Sequence, residues 1–470
     1  MARIAVIGAG MGAMATAARL AVAGHRVTVY ERGSTYGGSV GRYERDGFSF
    51  DTGPGLLHLP AVYRDLFVKT GRKPLEECVE LVQVDPAVRH LLPDGTSVTL
   101  PNASRGGAAA VLDEAFGTGS GDRWNGVLGR ARDAWNATRR PLLEEPLRPD
   151  WQALGADPYP ALRKSGLLRR RPPTLAEVAE RELGGPLGEL LTARVRSYGL
   201  RPADAPASAA VLPYMEQTFG SWYVRGGVRE LATAVYERCL ERKVAFVFDA
   251  DVRGVVERDG RAAGLSLADT GTGEADTVEA DAVVCGVDPR ALGIPPAPGP
   301  VPAPPMGLPG RYTLFLALGG PRPAEAVHRT LVGTDLTVLR PDDPAVRPDS
   351  AHEAVTVQAV VEPGTTPTAE ELIAAAAPAV PGLRERLLWH ELRTPADIAA
   401  ATGALDGAVP PPALAGAGGR LLHPSNTTGL PGLYLAGGWA HPGGGLPHAG
   451  MTGALVAGLI VEGADFRGSR

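Results

Sequence analysis

The chain has 470 residues, a net charge of −5 and 44% hydrophobic residues, too long for one simple core and suited to two sequential or intertwined domains. The acidic balance offers no global basic field to nucleic acid; apart from Lys69, Lys73, Lys164 and Lys243 the basic residues are arginine, a compositional habit rather than a binding device. Cys78, Cys239 and Cys285 lie far apart without a CxxC, which excludes a disulfide framework and a zinc site and suits a reducing cytoplasm.

The apolar start IAVIGAGMGAMATAARLAVAG resembles a targeting or membrane segment in hydropathy only. Its charged leader is Arg3 alone, Arg19 interrupts it, and glycines crowd its first half. The run RIAVI instead reads as a buried parallel strand, and RVTVYE as a second. Between them lies GAGMGA, with Gly8, Gly10 and Gly12, and Ala13 at the last fingerprint position. Gly8 permits a tight turn, Gly10 lets backbone approach a diphosphate, and Ala13 permits close helix–strand packing. The following helix points unpaired N–H groups and its positive dipole end at the phosphates. Glu31 ends the second strand where a carboxylate can accept from ribose hydroxyls; Arg32 beside it keeps a 2′-phosphate in view. The fingerprint predicts a dinucleotide without choosing between FAD and NAD.

Next come Gly37, Gly38 and Ser39, a hairpin-like RYERDGFSFD, and the Gly53-Pro54 turn. From about 106 to 221 the periodicity turns helical, as in PTLAEVAERELGGPLGELLTARV, where Thr174 and Glu177 form a capping box. Within it, residues 162–171 are basic and amphipathic. A solvated face competes there with peripheral contact to an anionic membrane. Then follow WYVRGGVREL, the strand-like VAFVFDADV, an apolar strand holding Cys285, and a proline-rich crossing at 291–310. Strand-like and helical runs continue to 419. The segment LYLAGGWAHPGGGLPHAG then runs from an apolar strand through a glycine turn towards a small-residue helix from about Met451.

Taken together, GAGMGA, YER, YGGSVGR, GFSFDTGP, WYVRGGVREL and the C-terminal segment resemble the phytoene-desaturase-like branch of the flavin amine oxidase superfamily. The likeness covers both ends and the middle of the chain and is poorest at 106–221 and 296–419. It implies an α/β fold in which a discontinuous Rossmann-like FAD-binding domain (1–105, 222–295, 420–470) carries an inserted α+β substrate domain. That domain comprises a helical lobe (106–221) and an antiparallel sheet with helices (296–419). It also implies an FAD cofactor held by Gly8, Gly10, Gly12, Ala13, Glu31, Arg32, Gly37, Gly38, Ser39, Gly53, Pro54, Val252, Gly437, Gly438, Pro447, His448 and Met451. Where relatives place an arginine after the double glycine, this chain has Ser39, with Arg42 three residues on as a candidate to reach back.

The activity implied is removal of hydride from an apolar or polyene-like small molecule to flavin, leaving a C=C bond. Oxygen and a quinone are candidate electron acceptors, between which the sequence does not choose. His448, His441 and His58 are candidates to line the flavin, since imidazole moves protons near neutral pH. Tyr214, Glu216, Trp222, Tyr223 and Trp439 are candidates to wall the substrate space. The chain has no catalytic triad, metal cluster or carboxylate pair, and Glu216 and Asp288 stand isolated in the sequence. Three alternatives compete: a reduced-flavin isomerase, an amine oxidase, and a flavin-free protein of related fold that binds prenylated partners. A cytoplasmic protein, peripheral to the membrane if 162–171 makes contact, is the expected setting.

Overall fold

The structure is a computed structural model that describes residues 1–162, 171–268, 276–295 and 307–468. Five short strands make a parallel sheet: β1 (Arg3–Ile7), β2 (Arg26–Tyr30), β3 (Ala245–Val247), β4 (Ala282–Cys285) and β5 (Leu433–Leu435). Their spatial order is β3-β2-β1-β4-β5. β4 is buried at every position and β1 at all but its first, as strands covered on both faces require. The order reverses between β1 and β4, so the crevice for a ligand opens beyond their carboxyl ends, at Gly8 and Gly286.

Three helices, α1 (Met11–Val22), α3 (Arg229–Glu241) and α4 (Leu446–Val461), pack beside that crevice, while α2 (Val211–Phe219) belongs to the helical lobe. α1 is buried along most of its length, between α3, whose Cys239 thiol donates to Met14 O at 3.3 Å, and α4. The α1–α4 contact depends on glycine. A Cβ on Gly12 would lie 2.7 Å from Gly437 Cα, and one on Gly453 would lie 2.7 Å from the Ala15 carbonyl carbon. Residues from opposite ends of the chain thus meet backbone to backbone.

The second domain is built on a seven-stranded sheet. Its order is Leu387–Arg393, Gly310–Gly319, His352–Val361, Leu336–Leu339, Arg329–Val332, Val88–Leu91 and Ser97–Leu100. The last two strands correct the expected boundary at 105: residues 88–100 leave the nucleotide-binding part and extend the substrate sheet. They join through a parallel pairing, Leu331 opposite His90, so the sheet is not wholly antiparallel. The helical lobe follows, with Ser120–Arg139, Gly185–Arg196 and α2 around a core that includes Trp124, Leu190 and Leu212. The Thr174–Glu177 capping box forms with both of its hydrogen bonds. Strand Ser221–Val224 carries the chain back, paired on one side with Leu57–His58 and on the other with Leu81–Gln83.

The basic stretch at 162–171 lies outside the described residues except at its ends, where Leu162 is exposed and Arg171 pairs with Glu177 at 2.7 Å. Among the described residues no helix is long and apolar enough to cross a membrane, and no group of three or more His, Cys, Asp or Glu is placed to hold a metal ion.

The sheet of the second domain has a buried ionic anchor. Glu353, fully buried, accepts from Arg340 Nε at 2.7 Å and Nη2 at 3.0 Å, and from Arg386 Nη2 at 2.7 Å. Removing the carboxylate leaves a buried guanidinium without its counter-charge. Glu353→Ala is therefore expected to destabilise the fold by about 3–5 kcal/mol, measured by chemical denaturation.

Candidate functional site

The turn after β1 is shaped for a close-approaching ligand. Gly8 has φ +85°, a conformation L side chains rarely adopt, and a Cβ there would strike Val287 Cγ1 at 2.6 Å. Gly10 differs: its backbone is extended, and a Cβ would meet no atom within 4 Å. Packing therefore does not require glycine at position 10, while close approach of a diphosphate does. Gly10 is also the N-cap of α1, with no side-chain cap and no acid in the first turn, so no side chain of the first turn competes with a ligand for those N–H groups. Ala13 is buried where a Cβ on Gly286 would lie 2.7 Å from it. Glu31 is fixed by two backbone donors, Ala9 N–H at 2.7 Å and Gly33 N–H at 2.8 Å, which leaves each oxygen a further lone pair for a sugar hydroxyl. Arg32 donates instead to Ala400 O at 2.7 Å, on the helix Pro395–Thr402.

The double-glycine loop lies against this turn. Gly37 N–H donates to Ala9 O at 2.8 Å, and a Cβ on Gly38 would lie 3.1 Å from Gly10 Cα. Ser39 is exposed beside them. Arg42 does not reach back: its Nη2 donates to Gly226 O at 2.8 Å and pairs with Glu230. The residue that holds the loop is one the sequence reading missed. Arg229, the first residue of α3, donates to the carbonyls of Tyr36 and Val40 and to Thr35 Oγ1, with its guanidinium 4.1 Å over the Tyr36 ring. The local signal was only a second arginine after the glycine turn of WYVRGGVREL. Asp51, at the end of the hairpin, accepts from Val228 N–H at 2.8 Å and Arg229 N–H at 3.1 Å, tying GFSFD to α3. Gly53 is held by Gln358 of the sheet, which donates to its carbonyl at 2.8 Å; Pro54 next to it is exposed. The parallel strand predicted to end near Val252 ends at Val247, and Val252 instead opens an antiparallel ribbon opposite Leu267.

The C-terminal loop comes back to the same crevice. Gly437 lies over Gly12, and a Cβ on Gly438 would lie 2.9 Å from Pro410 Cγ. Asn426 holds the loop by donating to Leu435 O at 3.1 Å and His441 O at 2.7 Å. α4 begins after Gly445 with no side-chain cap; its first two turns include Pro447, His448 and Met451, all buried. His441 is buried with Nε2 on Glu145 O at 2.9 Å, and His423, absent from the sequence-level candidates, places Nε2 on Pro411 O at 2.8 Å. His448 has no side-chain hydrogen bond among the described residues, and its Nδ1 is buried without a partner. Burial depresses all three imidazoles, His441 and His423 to about 4 and His448, next to the other two, to about 3. They are neutral at pH 7. Trp439 lies 4.6 Å beneath the Arg290 guanidinium, which is itself paired with Asp288 at 2.7 Å.

The substrate candidates separate. Trp222 packs into the domain junction, donating to Phe219 O at 2.9 Å with Arg64 over its ring. Tyr223, on the other face of the strand, donates to Asp343 Oδ2 at 2.9 Å and lines a cleft with Asp51, Gly53, His328 and Leu339. Tyr214 packs against the lobe core. Glu216 is not isolated. It accepts from Arg329 Nη1 at 3.0 Å and from the Tyr198 hydroxyl at 2.8 Å, with His58 Nε2 at 3.8 Å. Burial alone would raise this carboxyl, but Arg329, His58 and Arg194 together overcome it and hold Glu216 down to about 2. Burial lowers His58, whose Nδ1 lies 3.4 Å from Ser221 Oγ.

The flavin containing amine oxidoreductase family matches residues 14–318. A 4,4′-diapolycopene oxygenase from a Methylomonas species is 27% identical over 510 aligned positions, covering 98% of this chain and 98% of that protein. A 4,4′-diaponeurosporene oxygenase from Staphylococcus aureus strain USA300 is 28% identical over 298 positions, 61% of this chain and 55% of that protein. Among solved structures, an oxidoreductase from Methanosarcina mazei matches with a TM-score of 0.63 at 16% identity, over 96% of this chain and 98% of that one. Putrescine oxidase bound to putrescine matches with a TM-score of 0.66 at 15% identity, over 98% and 99%. At these identities the structural likeness is one of fold.

The bare face of Gly10, the uncapped α1 and the fixed Glu31 carboxylate fit the diphosphate and ribose of FAD. Two alanine substitutions separate binding from packing. Gly10→Ala is expected to leave the cofactor-free protein as stable as the parent yet to weaken FAD binding about tenfold or more, read by flavin fluorescence titration. Gly12→Ala, forced against Gly437, is expected to cost the cofactor-free protein about 1–3 kcal/mol in thermal or chemical unfolding.

Proposed function

This chain belongs to the flavin containing amine oxidoreductase family, and from that premise we propose that it takes hydrogen from an apolar, polyene-like substrate and leaves a carbon–carbon double bond. It is an oxidoreductase with FAD as its cofactor, which when bound accepts a hydride from a carbon held against its ring. Family membership favours this class over the flavin-free binder of prenylated partners. One observation carries the choice of substrate. The core of the helical lobe runs as a single apolar cluster from Trp124, Leu190 and Leu212 to Leu59 and Val62, and on to Met451 and Ala454 of α4. The lobe is therefore joined to the helix that follows the C-terminal glycine loop by one continuous apolar core, so a substrate entering between them would meet hydrocarbon side chains and little water.

The chain's own residues then act by position. Gly437 and Gly438 let the loop pack closely on Gly12 and Pro410, α4 begins after it with an uncapped N-terminus, and Asn426 holds the loop in place. Of the three candidate histidines, His441 is committed to Glu145 O, and His58 stands among Ser221 and Glu216. His448 alone of the three makes no side-chain hydrogen bond among the described residues, so it is our candidate to border the reacting carbon as a neutral imidazole.

A second reading is favoured by the relative that matches end to end, which is named an oxygenase. In that case one atom of O2 is inserted into a C–H bond and the other leaves as water, with the two electrons supplied through reduced flavin by an external two-electron donor. The FAD-loaded protein, mixed anaerobically with an acyclic polyene, is expected to bleach its flavin, and mass spectrometry is expected to find a product short of two hydrogens. An oxygen atom in the product, formed only with O2 present, would select the second reading; no bleaching by any polyene together with no oxygenated product in air removes both. Because the His441 and His448 rings are held neutral, the bleaching rate is expected to show no inflection from them between about pH 5.5 and 8.

A further inference from the structure

Most of the buried arginines have their nitrogens on carbonyls or carboxylates, and Arg194 does not. It stands on the lobe helix Gly185–Arg196, is 3% exposed, and its Nε and Nη1 have no hydrogen-bond partner. Its guanidinium lies 5.9 Å from the ring centre of Trp124, which is fully buried in the lobe core. His90, on the sheet strand Val88–Leu91, is 1% exposed, and both of its ring nitrogens lack partners. His90 shares the buried face of its strand with Val88 and stands opposite Leu331, and both of these pack in the cluster that contains Trp124, the ring under Arg194. Arg329, two residues before Leu331, pairs with Glu216 of α2, and both arginines act electrostatically on His90.

The charges in this group do not cancel. Arg194 and Arg329 are cations, Glu216 is the one carboxylate, and its two oxygens are already taken by Arg329 and Tyr198. A water molecule could satisfy a donor but not the excess positive charge. The cluster that contains Trp124 brings together Leu190, Leu191 and Leu212 from the lobe and Val88 and Leu331 from the sheet, and it reaches α4. What fits two open guanidinium N–H groups and an unpartnered imidazole inside a hydrocarbon lining is an anionic, planar oxygen pair.

We propose that Arg194, with Arg329 and His90, forms a subsite for the carboxylate at one end of an otherwise apolar substrate. The proposal rests on reading the lobe as the substrate side and adds the chemistry of the substrate's far end. The arrangement orients such a molecule: the acid is anchored between lobe and sheet, and the chain lies along the aliphatic surface towards α4 and the C-terminal loop.

The test uses binding alone, so it does not depend on turnover. FAD-loaded protein is titrated at pH 7.5 with all-trans-retinoic acid and separately with its methyl ester, following quenching of tryptophan emission. The acid is expected to bind about tenfold or more tightly than the ester. Arg194→Leu is expected to abolish that preference while melting no lower than the parent, and Arg194→Lys to keep part of it. Equal binding of acid and ester, binding of neither, or a preference that survives in Arg194→Leu overturns the proposal. The comparison in the parent protein stands even if the leucine variant fails to fold. A preference for the acid without flavin bleaching by any polyene would sink the proposed reaction and leave the subsite standing. Bleaching by a polyene hydrocarbon without any preference for the acid would do the reverse.

Discussion

The close approach of α1 and α4 sets the rest of the molecule. Gly12 meets Gly437, Gly453 meets Ala15, and no side chain larger than hydrogen fits at either glycine without displacing backbone. That contact brings the first β-turn and the last glycine loop to one crevice, and the strand reversal between β1 and β4 places the crevice at the carboxyl edge of the sheet. Everything else is arranged around it. Arg229 holds the double-glycine loop and Asn426 holds the C-terminal loop.

Much of the nucleotide-binding half was legible in the sequence because its constraints are local. Gly8 needs its positive φ, Glu31 ends a strand, and Thr174 and Glu177 complete a capping box, each within a few residues. Family membership supports the α/β fold and the FAD cofactor read from those motifs. The strands at 88–100 were not legible as part of the substrate sheet, since their partner at Arg329–Val332 lies more than two hundred residues away and hydrophobic alternation names no partner. Glu216 looked isolated for the same reason. Tyr198, Arg329 and His58 come from three separate segments, and only the fold brings them to one carboxylate. Strand ends were the least legible: β3 stops at Val247, where a turn through Asp249 intervenes before Val252.

The abundance of arginine also takes on a meaning that composition did not suggest. Arg229 donates to the carbonyls of Tyr36 and Val40, Arg238 to those of Phe67 and Lys73, and Arg386 to those of Gly319 and Gly320. A planar fork of five donors can satisfy several turn carbonyls at once, which a lysine cannot do with the same rigidity. In a chain with 61 glycines and 43 prolines, many carbonyls lie in turns outside any helix or sheet ladder, and these arginines supply their partners. Arg194 stands out against that pattern because its nitrogens find none.

The junction between Gly12 and Gly437 also orders events during synthesis. When the ribosome has made β1, β2 and the double-glycine loop, the diphosphate turn exists, but nothing yet covers α1 on the side that α4 will occupy. β5, the C-terminal loop and α4 lie more than four hundred residues beyond α1, so they cannot cover its small-residue face until that much of the chain has been made. On the proposed reading, a flavin lying between the Gly8 turn and the Gly437 loop would join segments more than four hundred residues apart as a non-covalent clasp.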